Sequence, residues 1–286
     1  MKPEVAIVTD TTACIPKEMV EKYGIEVVPI ELIVDGKVYQ DGIDISPSEF
    51  YALLRQAKGL PTTSGSLPGP FLEAYRRAGQ RAEGVLCITE SSKFSGMCNS
   101  ARVAIEMAKE ALPNVVIEVL ECATAAVGQG LVVLAAARAA ALDKSLAQVV
   151  ATAKGVMQRV NLYATLDTLD YLVKGGRVPK AAALASSLLQ IKPIFTVSDG
   201  EAHPVTNART NHGALKCILK LMEQKIIKEQ ALHVAVMHAD RLDRAIALRD
   251  QISSRFDCAE LFITEFTPVM GVHTGPGVIG VAFYGD

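Results

Sequence analysis

Residues 85–101 read VLCITESSKFSGMCNSA, and the change of character within this stretch decides the fold class. Residues 85–89 form an unbroken apolar run of strand length. Residues 90–96 are polar, tight and rich in hydroxyls. From Met97 onward an apolar stripe at Met97, Ala101, Ala104, Ile105 and Ala108 repeats with helical spacing. Strand, hydroxyl-rich turn and helix in succession make an anion site. The first N–H groups of a helix lack partners inside it, and the macrodipole adds positive potential there. Ser95 is placed to cap this helix, and Gly96 lets a ligand approach the backbone closely. The plainer reading is that Ser95 only caps. Gly96 is followed by Met97 and not by Lys, so the stretch is no P-loop. A small monoanion such as a carboxylate fits it better than a nucleoside triphosphate.

The surrounding chain repeats the same grammar. Residues 5–9 are a short apolar run opening into Asp10-Thr11-Thr12, which reads as a central strand followed by a polar loop. Pro16 and Gly24 suit the start and end of a helix. Residues 27–34 read as one strand, and Asp35-Gly36 as a hairpin turn into residues 37–40. Ser46-Pro47-Ser48-Glu49 is a capping box that starts a helix running to about Lys58. Residues 60–70, LPTTSGSLPGP, contain too much Pro and Gly for a regular element, and present Thr62, Thr63, Ser64 and Ser66 on a defined loop. A strand at 115–120, an alanine-rich helix at 123–142 and a helix capped by Ser145 follow. Alternating strands and helices predict a mainly parallel sheet with helices on both faces, with ligands beyond the carboxyl ends of the strands. Asp10–Thr12 and Ser91–Gly96 then share one edge.

After residue 160 the pattern changes. A helix at 181–189, a hairpin turning at Asp199-Gly200, a helix at 211–230, a strand at 232–238, a helix at 240–254 and a strand at 259–266 precede Gly271-Val272-His273-Thr274-Gly275-Pro276-Gly277 and a final strand at 278–284. The expected organisation is two α/β domains, residues 1–160 and 161–286. The first carries the parallel sheet, and the second a mixed sheet with antiparallel hairpins. No linker separates them, so they are expected to pack tightly.

Composition removes several classes. The 29 basic and 31 acidic residues give a net charge of -2, which argues against nucleic acid as the partner. Trp is absent and aromatics are 5%, so aliphatic side chains must line any internal pocket. Six cysteines, at 14, 87, 98, 122, 217 and 258, form no Cys-x-x-Cys and have no zinc spacing, and read as reduced thiols of a cytoplasmic protein. The first residues carry too short an apolar run for a signal peptide. The most apolar helix is short and interrupted by Arg138, so no transmembrane segment is expected. With no metal-ligand spacing among the cysteines and histidines, no metal or other cofactor is expected either.

Among single residues, His273 sits in a glycine-rich loop and can donate to a carboxylate when neutral or add a charge when protonated. Asp10 reads as a loop cap, with general base and metal ligand as alternatives. Arg177, Lys180 and Arg209 read as an exposed anion- or partner-binding patch, or simply as a solvated face. His238 with Asp240 and Asp243 matches no established metal pattern. A serine-type hydrolase or acyltransferase built on Ser95 and His273 is the alternative enzyme reading, although Gly-x-Ser-x-Gly is absent.

Read together, seven segments resemble the DegV family of fatty-acid-binding proteins. They are Val8-Thr9-Asp10-Thr11-Thr12, Pro61-Thr62-Thr63-Ser64, Ser91-Ser92-Lys93-Phe94-Ser95-Gly96, Gly128-Gln129-Gly130-Leu131-Val132-Val133, Gly175-Gly176-Arg177, Ser187-Leu188-Leu189-Gln190-Ile191-Lys192-Pro193 and His273-Thr274-Gly275-Pro276-Gly277. They keep the family order over nearly the whole chain. The resemblance implies one long-chain fatty acid enclosed in a tunnel between two α/β domains. It implies a carboxylate held by Thr62 or Thr63, Ser95, an N–H near Gly96, His273 and Thr274. It also implies a non-catalytic role beside a separate ATP-dependent fatty acid kinase subunit, which docks at Arg177 and Arg209 and makes acyl phosphate for phospholipid synthesis. The chain departs from the family where Phe94 replaces Leu, Met97 replaces Thr, Gly65 stands for a frequent Gln, and Glu121-Cys122 replaces Asp-Ser.

Overall fold

The computed structural model describes residues 3–65, 67–178, 191–227 and 230–286. The chain opens with β1 (Val5–Asp10), a 3-10 turn over Thr11–Ala13, and α1 (Lys17–Tyr23), which ends at Gly24. Then come β2 (Glu26–Val28), β3 (Glu31–Val34), β4 (Lys37–Gln40), α2 (Pro47–Leu54), β5 (Thr62–Thr63), α3 (Pro68–Arg81), β6 (Gly84–Thr89), α4 (Met97–Ala108), β7 (Val116–Glu121), α5 (Val127–Ala141) and α6 (Leu146–Arg159). The rest comprises β8 (Asn161–Thr165), α7 (Asp170–Gly175), β9 (Lys192–Ser198), β10 (Glu201–Ala208), α8 (Asn211–Lys225), β11 (Leu232–His238), α9 (Leu242–Ser253), β12 (Cys258–Glu265), α10 (Pro268–Thr274) and β13 (Ile279–Gly285).

The first sheet is parallel, in the order β2-β1-β6-β7, and the second is mixed, in the order β10-β9-β8-β13-β11-β12. Alternation along the strands sorts the core. Ala6, Val8, Val85 and Cys87 face α3 and α4, whereas Val5, Ile7, Leu86 and Ile88 face α5 and α6. In the second sheet Val234, Val236, Val281 and Phe283 face α8 and α9, and Ala235, Met237, Ala282 and Tyr284 face α5. The order of layers is therefore α3/α4, sheet, α5/α6, sheet, α8/α9. A helix covered by a sheet on each side must be apolar all round, and α5 is buried at every position except Arg138 and its last residue, Ala141. The two sheets share one continuous core, which is the tight packing expected from the missing linker.

Several local readings change. Residues 27–34 are two strands, because Pro29 cannot donate to a ladder and breaks the run. β2 extends the parallel sheet, while β3 pairs with β4 through a turn in which Asp35 and Gly36 both have positive φ. The loop at 60–70 does contain a regular element: Thr62 and Thr63 pair with Ile33 and Leu32 on the free edge of β3. α2 stops at Leu54, four residues short of Lys58. His273 lies in the last turn of α10, since Pro268 starts a helix that runs until Gly275, whose φ of 69° ends it. α8 stops at Lys225, five residues short of the expected 230. The helix expected at 181–189, Lys180, Ser66 and most of the Ser187–Pro193 motif lie outside the described residues.

α5 approaches the turn after β1 so closely that a Cβ on Gly130 would sit 2.4 Å from the Ala13 carbonyl oxygen. Gly130→Ala is expected to cost about 1–3 kcal/mol by overpacking. Gly155, inside α6 with nothing within 4 Å of the same position, is the control. Gly155→Ala is expected to gain about 0.5–1 kcal/mol from helix propensity. Urea unfolding of both variants checks this, and equal midpoints would remove close approach as the reason for Gly130.

A candidate ligand cavity with one polar end

The carboxyl edge of the parallel sheet faces a cavity of about 1040 Å³, counting its open mouth. Most of its wall is apolar. Leu162 and Ala164 come from β8, Phe195 and Val197 from β9, Ala202 from β10 and Met237 from β11, while Phe266, Val269 and Met270 come from the α10 region. Phe94 and Met97 also line it, so aromatic rings share the wall with the aliphatic groups expected there. The polar lining residues are Thr12, Thr63, Ser64, Glu90, Ser95, Arg177, His273 and Thr274.

These polar groups form linked pairs. Thr63 Oγ1 lies 3.3 Å from His273 Nε2, and the Ser95 hydroxyl donates to Glu90 Oε1 at 2.6 Å. Ser95 also accepts from the Met97 N–H at 3.2 Å, but the cap position of α4 belongs to Gly96. Ser95 therefore stands one residue before the cap and points toward Glu90. Burial pushes the His273 imidazole down to about 4, with the Arg177 charge adding to the effect, so His273 is neutral at physiological pH. Its Nδ1 is buried without a hydrogen-bond partner among the described residues. With the proton on Nε2, the Thr63 hydroxyl is free to donate into the cavity.

Behind this end lies a knot of buried acids. Asp10 is fully buried and accepts from the Thr12 N–H at 3.0 Å, the Thr12 hydroxyl, the Glu90 N–H at 3.2 Å and the Gln129 amide at 3.5 Å. Burial raises its carboxyl above the ordinary range, against the pull of these donors. Burial, with the Asp10 charge second, pushes Glu90 up to about 8. Asp41 accepts from the Val269 N–H in the first turn of α10 at 3.1 Å. Burial lifts it to about 7, and the Val269 N–H opposes that rise. Asp41 thus anchors the helix that carries His273.

The family model described as "Uncharacterised protein, DegV family" matches residues 4–286. The chain belongs to the DegV family. It is 33% identical over 280 residues to a DegV domain-containing protein of Caldanaerobacter subterraneus subsp. tengcongensis, covering 98% of each chain. It is 35% identical over 287 residues to one of Streptomyces coelicolor, again covering 98% of each. Among solved structures, one reporting fatty acid binding of a DegV family protein from Thermus thermophilus has a TM-score of 0.91 at 29% identity, covering 100% of both chains. The DegV fatty acid binding protein of Bacillus subtilis has a TM-score of 0.88 at 28% identity, covering 99% of both chains. A stearic acid-binding protein of Eubacterium ventriosum has a TM-score of 0.90 at 26% identity, covering 100% of this chain and 98% of that one. The DegV fold is therefore the fold of this chain, with the parallel and mixed sheets expected from the sequence.

Placed on this DegV fold, Thr63, Ser95, Arg177, His273 and Thr274 come together at the cavity. Thr62 is exposed on β5 and is not a lining residue, and Gly96 caps α4 beside Ser95. Arg209 is exposed after β10. Ser95 and His273 are not bonded to each other: Ser95 pairs with Glu90 and His273 with Thr63. A base held near 4 is poorly matched to activating a serine. His238 is buried and pushed down by burial, and the described residues contain no group of three His, Cys, Asp or Glu placed to hold a metal. No described helix is long and apolar enough to cross a membrane. Sequence reading missed Glu90, Asp41 and Gln129. Only Gln129 carried a signal, as a lone polar residue in an apolar helix.

Asp41 gives a pH prediction. Its carboxyl ionises near 3.8 when unperturbed and near 7 when folded. The stability due to the neutral group is complete below the lower value and is lost as pH rises through the higher one. Between about pH 5 and about pH 8 the wild-type protein is expected to lose more stability to urea than Asp41→Asn. Parallel profiles would mean that Asp41 stays ionised in the fold.

Proposed function

We propose that this chain binds a long-chain fatty acid, with the acyl chain in the apolar part of the cavity and the carboxylate at the polar end. The observation that carries this reading is the cluster of hydroxyls and a neutral imidazole, with Glu90 and Arg177 beside them, at a cavity whose described lining is mostly apolar. Thr63, Ser95, His273, Thr274 and an N–H near Gly96 hold the carboxylate. Thr62 contributes the short strand that places Thr63. A buried carboxylate needs hydrogen bonds, and charge-assisted bonds from hydroxyls and an imidazole supply them without a full salt bridge. Each buried CH₂ gains about 0.8 kcal/mol, so a long chain offers on the order of 10 kcal/mol before the cost of association. Fatty acid binding by the solved DegV structures supports the same ligand class.

In this reading the chain is a non-catalytic carrier. A separate ATP-dependent kinase subunit transfers the terminal phosphoryl group of ATP to the held carboxylate, giving acyl phosphate and ADP, and the acyl phosphate enters phospholipid synthesis. Arg177 at the cavity and Arg209 on the surface are the docking residues. A reducing cytoplasm suits the six free thiols.

Native mass spectrometry of the purified protein, with extraction of whatever it releases, is the direct test. One fatty acid per chain is expected. Ser95→Ala and His273→Ala should each weaken hexadecanoate binding about tenfold to a hundredfold, the range for a hydrogen bond to a charged group. A protein that carries no lipid and takes up no added hexadecanoate overturns the reading. A fluorophosphonate adduct at Ser95 with turnover of an acyl ester would favour the hydrolase instead.

A further inference from the structure

Glu90 is a carboxyl group at the end of the cavity where the proposed ligand brings a second one. It is 7% exposed, it lines the cavity, and its Oε1 takes the hydroxyl of Ser95, one of the proposed carboxylate donors. Two carboxylates sharing one site cannot both stay ionised in a poorly solvated pocket. We propose that Glu90 and the ligand's carboxyl group share a single proton, so that the cavity accepts a fatty acid only when the pair carries one negative charge. This inference rests on the fatty-acid reading and adds to it a condition on the head group.

The groups facing Glu90 fix where the proton goes. Asp10, behind it on β1, is surrounded by N–H and O–H donors from Thr12, Gln129 and the Glu90 backbone, an arrangement that suits an ionised acceptor. Among the described residues, the Glu90 side chain has one hydrogen bond, from Ser95. Of the two acids Glu90, with a single donor against Asp10's several, is the one left to carry a proton; burial raises both. Arg177 is exposed, donates to the Gly175 carbonyl at 2.7 Å and opposes that rise only in part. His273 is neutral and does not compete for the charge. Glu121 on the neighbouring strand is turned to Ser92, Cys98 and Arg102, and Lys93 is paired with Glu201 at 3.0 Å. A protonated Glu90 can donate its O–H to the incoming carboxylate. An ionised Glu90 meets that carboxylate as a like charge and must first take up a proton.

Hexadecanoate binding, measured below its micelle-forming concentration across a pH series, tests this. Wild-type affinity is expected to be level near neutrality, where the fatty acid is ionised and Glu90 protonated. Above about pH 8 it is expected to fall about tenfold per pH unit, the slope of one proton taken up on binding. Glu90→Gln carries a permanent neutral amide and should show no such slope. Calorimetry of the unaltered protein in buffers of different ionisation heat gives a second reading that needs no variant. About one proton should be taken up per ligand near pH 9.5, and none near pH 7. Wild-type affinity level to about pH 10, equal profiles for wild type and Glu90→Gln, or no proton uptake near pH 9.5 each overturn the proposal and leave fatty-acid binding standing. Absence of binding at every pH removes both.

Discussion

The structure depends on one helix serving two sheets. α5 packs against the inner face of the parallel sheet and against the inner face of the mixed sheet, so nearly every side chain on it is excluded from water. A helix in that position must be apolar, and it must also be thin if two sheets are to close on it. Alanine and glycine meet both demands. Gly130 lets α5 reach the turn after β1, and that turn carries Asp10 and Thr12. The one amide on the buried face, Gln129, then bonds Thr9, Thr12 and Asp10. The helix that joins the halves thereby also sets the position of the polar groups behind the cavity.

That arrangement explains the electrostatic character of the cavity's polar end. Asp10, Glu90 and Asp41 are all buried near the carboxyl edge, and burial raises all three. Burial lowers His273 by the same physics acting on a base. A region that penalises charge on both kinds of group holds an anion best with neutral donors. Hydroxyls and a neutral imidazole are the groups found there. Arg177 is the cation among the described lining residues, and it is exposed. Its field reaches Glu90 and His273 while the water around it weakens any direct pairing.

How much of this was legible in the sequence follows from what each feature depends on. The parallel sheet was legible because buried parallel strands are continuous apolar runs ended by turns. The shared edge of Asp10 and Ser95 followed from that sheet. The shared helical layer was only half visible: the composition of α5 said that it was buried, but not that two sheets buried it. β5 was hidden because two residues make no periodic signal, and they become a strand only through the free edge of β3. α10 was hidden by glycines that look like a loop until Pro268 and Asp41 fix its start. Glu90 read as one more polar turn residue. Its importance comes from Asp10, eighty positions away, and from a cavity whose far wall belongs to the second sheet.

The second sheet supplies only apolar residues to the cavity lining, and that bears on how selectivity is divided. The polar end comes from β5, the turns after β1 and β6, α10, and Arg177 just beyond α7. β8 to β11 of the second sheet give the apolar wall Leu162, Ala164, Phe195, Val197, Ala202 and Met237, and other parts of the chain add to it, among them Ile30, Ala125 and Ala126 of the first half. In the proposed binding mode, a substitution among these second-sheet residues changes volume and shape without touching a hydrogen bond to the head group, so chain length can vary while the clamp stays fixed. Phe94 and Met97 break this separation. Both flank Ser95, and both line the cavity. Larger side chains here narrow the space next to the polar end rather than at the apolar wall. Their effect on a ligand should therefore fall on the first carbons beyond the carboxylate, where a bend or a branch would be felt before overall length.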